Sequence, residues 1–176
     1  MPNIDDFRKE VAEKRAKILA QMARVPIAAL IWGPNPTSAD PYAQARLRLR
    51  DELSTRGHLA DFSEDLHDSS FEQSNFAQQI SQAEAYDVIF SIPSSVGSIA
   101  EIHDFARIQG ISHKIIAFVD RNHLGGYSGQ SLVNSQANST CKIELYDYAT
   151  FPDCVISLAL DQIRRLQEIF YIGGRR

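Results

Sequence analysis

Residues 86–120 read YDVIFSIPSSVGSIAEIHDFARIQGISHKIIAFVD. The apolar run "YDVIFSI" has the length and β-branched content of a buried strand and stops at Pro93. A small-residue turn follows. The spacing then predicts a helix from Ser98 to Gln109, with Gly110 just past its end. "HKIIAFVD" is a second strand. Strand, helix and strand in this order predict a parallel pair joined by a helical crossover. Ser98 and Glu101 fit the N-cap and N3 positions of an S-x-x-E capping box.

The same alternation extends in both directions. Upstream, "VPIAALIWG" is a first strand closed by Gly33, "PNPTSAD" is a loop, and Pro41–Arg56 is a helix with Gly57 beyond it. "HLADF" is a weaker second strand, and Phe71–Ala85 is expected to be helical. Downstream, the polar stretch Arg121–Thr140 has no clear period, and Gly125, Gly126 and Gly129 suit a mobile lid. "CKIELYDY" is a fifth strand, and Phe151–Ile172 is a closing amphipathic helix. Before all of this, Ile4, Phe7, Val11, Ile18, Leu19 and Met22 share one face of a helix over Ile4–Met22. That face packs either on the domain or on a second subunit.

Five strands alternating with helices suit a three-layer, Rossmann-like or flavodoxin-like α/β fold with a parallel sheet in the order 2-1-3-4-5. One domain is expected over 1–176, with an N-terminal helix (1–24) and an α/β core (25–172). In that order ligands bind beyond the carboxyl ends of strands 1 and 3, where the chain's direction of travel across the sheet reverses. The loops there are "WGPNPTSAD" and "PSSVGS", so Glu101 is expected on the rim of that crevice.

Bulk properties narrow the function classes. The chain has 176 residues, 44% hydrophobic and 23% charged, with a net charge of −4. That size fits one full core. The charge supplies no general basic surface for nucleic acid. No apolar run approaches the length of a membrane helix, and "MPNIDDFRKEVAEKRAK" contains no apolar signal region. Cys141 and Cys154 show no metal-ligand spacing and read as packed thiols in a reducing compartment. A cytoplasmic protein is expected.

The familiar signatures of this fold class are absent from the sequence. There is no P-loop lysine after Gly33, no G-x-G-x-x-G, no G-x-S-x-G elbow and no H-E-x-x-H. Trp32 and Gly33 stand where a receiver domain keeps acidic residues. No cofactor and no metal are expected.

What remains is Gly97, Ser98, Ala100 and Glu101 within "VGSIAEIHDFARIQG", followed by the strand "KIIAF". This segment resembles the nucleoside 2-deoxyribosyltransferase family and its relatives. More loosely, it is similar to phosphoribohydrolase-type nucleotide-binding domains and to Toll/interleukin-receptor-type NAD-cleaving domains. The local resemblance covers about thirty residues. It implies that Glu101 is the nucleophile and that Ser94, Gly97 and Ser98 line a sugar or phosphate pocket. Across from them it implies Trp32, Gly33, Pro34, Asn35 and Tyr42, with Trp32 or Tyr42 stacking on a base. Asp120 and Asn122 lie on the same rim, with Arg121 and His123 beside them. Glu64 and Asp65 in "SEDLHD" are the candidates for the family's acidic base-binding residue, and Asn122 and Asn134 for its partner-subunit asparagine. The N-terminal helix departs from the family, whose chains begin with the first strand.

The implied activity is cleavage or transfer of the N-glycosidic bond of a nucleoside, nucleotide or NAD. The alternative is a sensor that binds a nucleotide ligand without reaction. A carboxylate opposite the leaving base can trap the sugar or balance its positive charge. A helix N-terminus would favour its ionised form and can also hold a phosphate. Capping alone explains the same residues without any chemistry. His103 and Asp104 are expected in solvent or packing. Arg46 and Arg50, four apart, could reach a phosphate but are expected on a solvated face. A homodimer or higher oligomer is expected from the Ile4–Met22 stripe and from the family's habit of completing sites across subunits.

Overall fold

The computed structural model describes residues 3–70, 72, 74–123 and 140–175. Five strands form one sheet: β1 (Ala28–Trp32), β2 (Leu59–Phe62), β3 (Val88–Ser91), β4 (Ile115–Asp120) and β5 (Lys142–Tyr146). Their order is β2-β1-β3-β4-β5, and every neighbouring pair is parallel. The register sets Ile31 beside Phe62 and Trp32 beside Ser91. The loops that follow β1 and β3 therefore leave from the same edge of the sheet. This is the flavodoxin-like arrangement that the alternation of elements predicts.

Alternate strand residues feed two separate cores. Ala29, Ile31, Phe90 and Phe118 point to one face, where α2 (Pro41–Thr55) and α5 (Asp153–Ile172) cover them with Leu49, Leu53, Val155 and Ile163. Leu30, Ile89, Ala117 and Val119 point to the other, beneath α3 (Asn75–Ala85) and α4 (Val96–Ala106). The Asp40 side chain caps α2 by accepting from Tyr42 N–H at 2.7 Å, and Pro41 occupies its first turn. At Gly57, just past α2, φ is +84°, a left-handed value that suits glycine.

Three helix starts differ from expectation: α5 begins at Asp153 rather than Phe151, and the other two are α3 and α4, the latter also ending at Ala106 rather than Gln109. Helix α3 begins at Asn75 because the Ser74 hydroxyl accepts from Ala77 N–H at 3.3 Å; the expected start was Phe71. Helix α4 begins at Val96, because Ser95 rather than Ser98 is its N-cap. The Ser95 Oγ accepts from Ser98 N–H at 3.2 Å, and the Ser98 Oγ accepts in return from Ser95 N–H at 3.0 Å. A serine hydroxyl at N3 closes the box as a glutamate would, so the box forms one turn earlier than S-x-x-E suggests. Glu101 therefore lies in the second turn of α4, beyond the unpaired N–H groups of the first.

Helix α1 (Ile4–Met22) is capped by Asn3, whose side chain accepts from Asp5 N–H, and none of its residues is buried. Among the described residues, its hydrogen bonds to the rest of the chain are made at its carboxyl end. There the Tyr171 hydroxyl donates to Gln21 Oε1 at 2.7 Å, and the buried Gln167 amide donates to the Ala23 and Val25 carbonyls at 2.9 and 3.0 Å. Arg175 forms an ion pair with Asp87 at 2.7 Å, and Asp87 also accepts from Ala28 N–H. Burial alone would raise the Asp87 carboxyl. The Arg175 and Ala28 hydrogen bonds and the Arg175 and Lys114 charges outweigh it and hold it below its ordinary value. Among the described residues, no helix is long and apolar enough to cross a membrane.

Candidate functional site

A cavity of about 380 Å3 opens at the carboxyl ends of β1, β2 and β3, on the face covered by α3 and α4. Its floor is Trp32 at the end of β1, Gly33 just after it and Ser91 from β3, where the strand order reverses. Its walls come from three places. The turn after β2 supplies Ser63, Glu64 and His67. Helix α3 supplies Asn75, Gln78, Gln79 and Gln82. Helix α4 supplies Ser98, Ile102 and Phe105. Trp32 packs on Phe105 with ring centroids 4.6 Å apart. One side of the cavity is thus aromatic and the other is lined by amides and hydroxyls.

The sharpest feature at its edge is Arg46 of α2, which is 0% exposed. Its guanidinium donates to the carbonyls of Ile31 at 2.7 Å and Gly33 at 2.9 Å, and to that of Pro34. It also grips both oxygens of Glu64, each at 2.9 Å. The guanidinium carbon stands 4.5 Å from the centre of the Phe62 ring, and that of Arg50 stands equally near. Expectation thus fails at Arg46, which is a structural clamp rather than a solvated cation, and its charge is spent on Glu64 and three carbonyls. Arg50 is partly exposed and reaches Asp65 at 3.9 Å. Gly33 follows from this clamp. A Cβ there would lie 2.7 Å from Arg46 Cδ and 2.8 Å from the Ile92 carbonyl oxygen, and φ is +153°.

Glu64 is therefore a fixed acceptor in the cavity wall. Partial burial alone would raise its pKa, but the hydrogen bonds and charge of Arg46 outweigh it and hold the carboxyl below its ordinary value. It stays ionised at neutral pH. Two other wall groups are tied back into the protein. Ser63 Oγ donates to Gln82 Oε1 at 2.6 Å, and the Gln78 amide bonds the backbone of Asp68 in both directions. The indole N–H of Trp32 is buried and has no acceptor among the described residues. None of the described residues that line the cavity is a lysine or arginine.

No protein-family model matches the chain, and no curated protein matches it. The site therefore stands on its own geometry. Of the residues picked from sequence, Trp32, Gly33, Ser98 and Glu64 come together in the cavity. Helical spacing puts position 101 on the same face of α4 as Ser98 and Phe105; the Glu101 side chain, like the surroundings of Gly97, lies outside the described residues. The lid glycines and Asn134 lie outside them as well. Pro34 contributes its carbonyl to Arg46. Asn35 is occupied in its own loop, accepting from Thr37 N–H at 2.9 Å. Ser94 is half-buried in the turn before the α4 cap.

Tyr42 sits elsewhere. It packs on Phe151 and Tyr148, with centroids 5.1 and 6.1 Å away, and its phenol lies near that of Tyr146. Asp120, buried at the end of β4, accepts from Asn122 N–H at 2.9 Å. Burial and the nearby Asp120 charge raise the pKa of both Tyr42 and Tyr146. This aromatic group lies on the α2/α5 side and is separate from the cavity lining. Sequence reasoning missed the α3 wall. Its signal was present, since Asn75, Gln78, Gln79 and Gln82 recur at helical spacing as a polar stripe on an otherwise partly apolar helix.

Proposed function

We propose that this chain cleaves or transfers the N-glycosidic bond of a nucleoside, nucleotide or NAD, with Glu101 as the nucleophile. The observation that carries this reading is the cavity at the carboxyl ends of β1 and β3, with Ser98 and Phe105 of α4 in its wall, one helical turn on either side of Glu101. The mixed lining suits such a ligand. Trp32 and Phe105 offer ring faces, the Trp32 N–H has no acceptor among the described residues, and Glu64, Asn75 and Gln79 offer partners for hydroxyls and base edges.

The chemistry balances without a cofactor. The carboxylate attacks the anomeric carbon as the bond to the base breaks, the base leaves with the bonding electron pair and takes up a proton, and a glycosyl ester remains. Water or a second base then displaces the carboxylate. The serine pair caps α4, so capping does not account for Glu101.

The test is base release from a panel of nucleosides, nucleotides and NAD, compared between the parent and Glu101→Gln. The variant should keep its circular dichroism and unfolding midpoint and lose nearly all base release, because an amide is a very poor nucleophile and cannot balance a sugar cation. Parental turnover by Glu101→Gln would remove the nucleophile assignment. A ligand bound tightly by the parent but never cleaved would make the protein a sensor.

A further inference from the structure

Helix α1 presents its apolar stripe to solvent: Ile4 is 67% exposed, Phe7 61%, Val11 48%, Ile18 42% and Leu19 54%. A helix of 19 residues is about 28 Å long. Alone in water a helix of this length is marginal, and here, among the described residues, its hydrogen bonds to the core come from its last turn and the residues just past it. An uncovered stripe of this size marks an interaction surface.

The charges indicate what covers it. Asp5, Asp6, Glu10 and Glu13 outnumber Arg8 and Lys9 in the first half, whereas Lys14, Arg15 and Lys17 are the only charges in the second half. The helix is thus acidic at one end and basic at the other, which makes it complementary to a reversed copy of itself. In a reversed pair Phe7 packs on the partner's Ile18, Glu10 and Val11 lie beside the partner's Lys14, and Asp6 faces the partner's Lys17. The helix dipoles also oppose. Arg8 then lies near the partner's Arg15 on the open flank, where both heads can turn to water. A parallel, in-register pair would instead set acidic half on acidic half and press Lys14 against its own copy along the seam.

We propose that two copies of this chain associate through α1 in antiparallel fashion, burying the Ile4–Val11–Ile18 stripe. The inference does not depend on the cavity's chemistry. Sedimentation of the full chain at micromolar concentration should give twice 19.7 kDa. Phe7→Glu combined with Ile18→Glu should weaken the dimer on the order of a hundredfold or more, by placing unpaired charges in the seam. Because no residue of α1 is buried, the unfolding midpoint of the α/β core should not change. Orientation is read by disulfide trapping in a Cys154→Ser background, Cys141 being buried. Phe7→Cys mixed with Ile18→Cys should cross-link, and neither alone should do so. Self-cross-linking of Phe7→Cys, or a dimer that survives the two glutamates, would overturn the proposal. So would a monomer at all concentrations, whether or not its α1 binds phosphatidylserine vesicles.

Discussion

The two faces of the sheet are built from the same alternating strands and end differently. On the α2/α5 side, apolar helix positions continue to the strand ends, Arg46 fills the space above β1, and Tyr42, Tyr146 and Phe151 close the rim. On the α3/α4 side, amides and hydroxyls replace apolar residues at inward helix positions, and a cavity opens. The sheet fixes where a crevice can lie. The residues on the covering helices decide which side of it is filled and which is open.

Breaking the sealed side should have the largest effect. Arg46→Ala would leave the Ile31, Gly33 and Pro34 carbonyls and the Glu64 carboxylate without their common donor. Glu64 is half exposed, so the main cost comes from the orphaned carbonyls, about 1–3 kcal/mol for each that stays dry, and the urea midpoint should fall accordingly. Arg46→Lys should recover only part of the loss, because an ammonium cannot reproduce the two-pronged grip on Glu64. A variant of parental stability would mean that the two faces differ less than their geometry suggests.

Gly33→Ala probes the boundary between the faces. The added methyl meets Arg46 Cδ at 2.7 Å and the Ile92 carbonyl oxygen at 2.8 Å, and a backbone oxygen cannot step aside. The expected cost is about 1–3 kcal/mol, read as a lower thermal midpoint, with a shift in the near-ultraviolet signal of the neighbouring Trp32.

The smallest effect belongs to the open side. Ser95→Ala removes the α4 cap and should cost about 0.5–2 kcal/mol. Hydrogen exchange should quicken in the first turn of α4 while the strands stay protected. Equal loosening of α2 would show that the faces are coupled.

Much of this architecture was legible in the sequence because it depends on local signals. Apolar runs closed by Gly33 or Pro93 mark strand ends and Gly57 marks a helix end wherever the chain goes, whereas α4 stops at Ala106, short of Gly110. The start of α4 was harder, since Ser94, Ser95 and Ser98 all offer a hydroxyl at a helix entrance, and the choice rests on the path of the chain out of β3. Arg46 was harder still. Its neighbour Arg50 made the pair look like a wet face, whereas its partners are carbonyls in and just after the end of β1 and a carboxylate after β2, brought near only by folding. The polar stripe on α3 could be read from spacing, but that it faces a cavity depends on α4 standing opposite.

The hydrogen bonds from Gln167 to Ala23 and Val25 join places 144 and 142 residues apart. During synthesis β1 emerges early, while the helix that covers its α2 side and anchors its approach is made last. The α3/α4 side can assemble on the ribosome as soon as β4 appears. Ile31, Phe90 and Phe118 keep a bare flank until α5 is free of the exit tunnel. A nascent chain stalled before residue 153 would therefore be a half-covered sheet, with one core complete and the other open to chaperones.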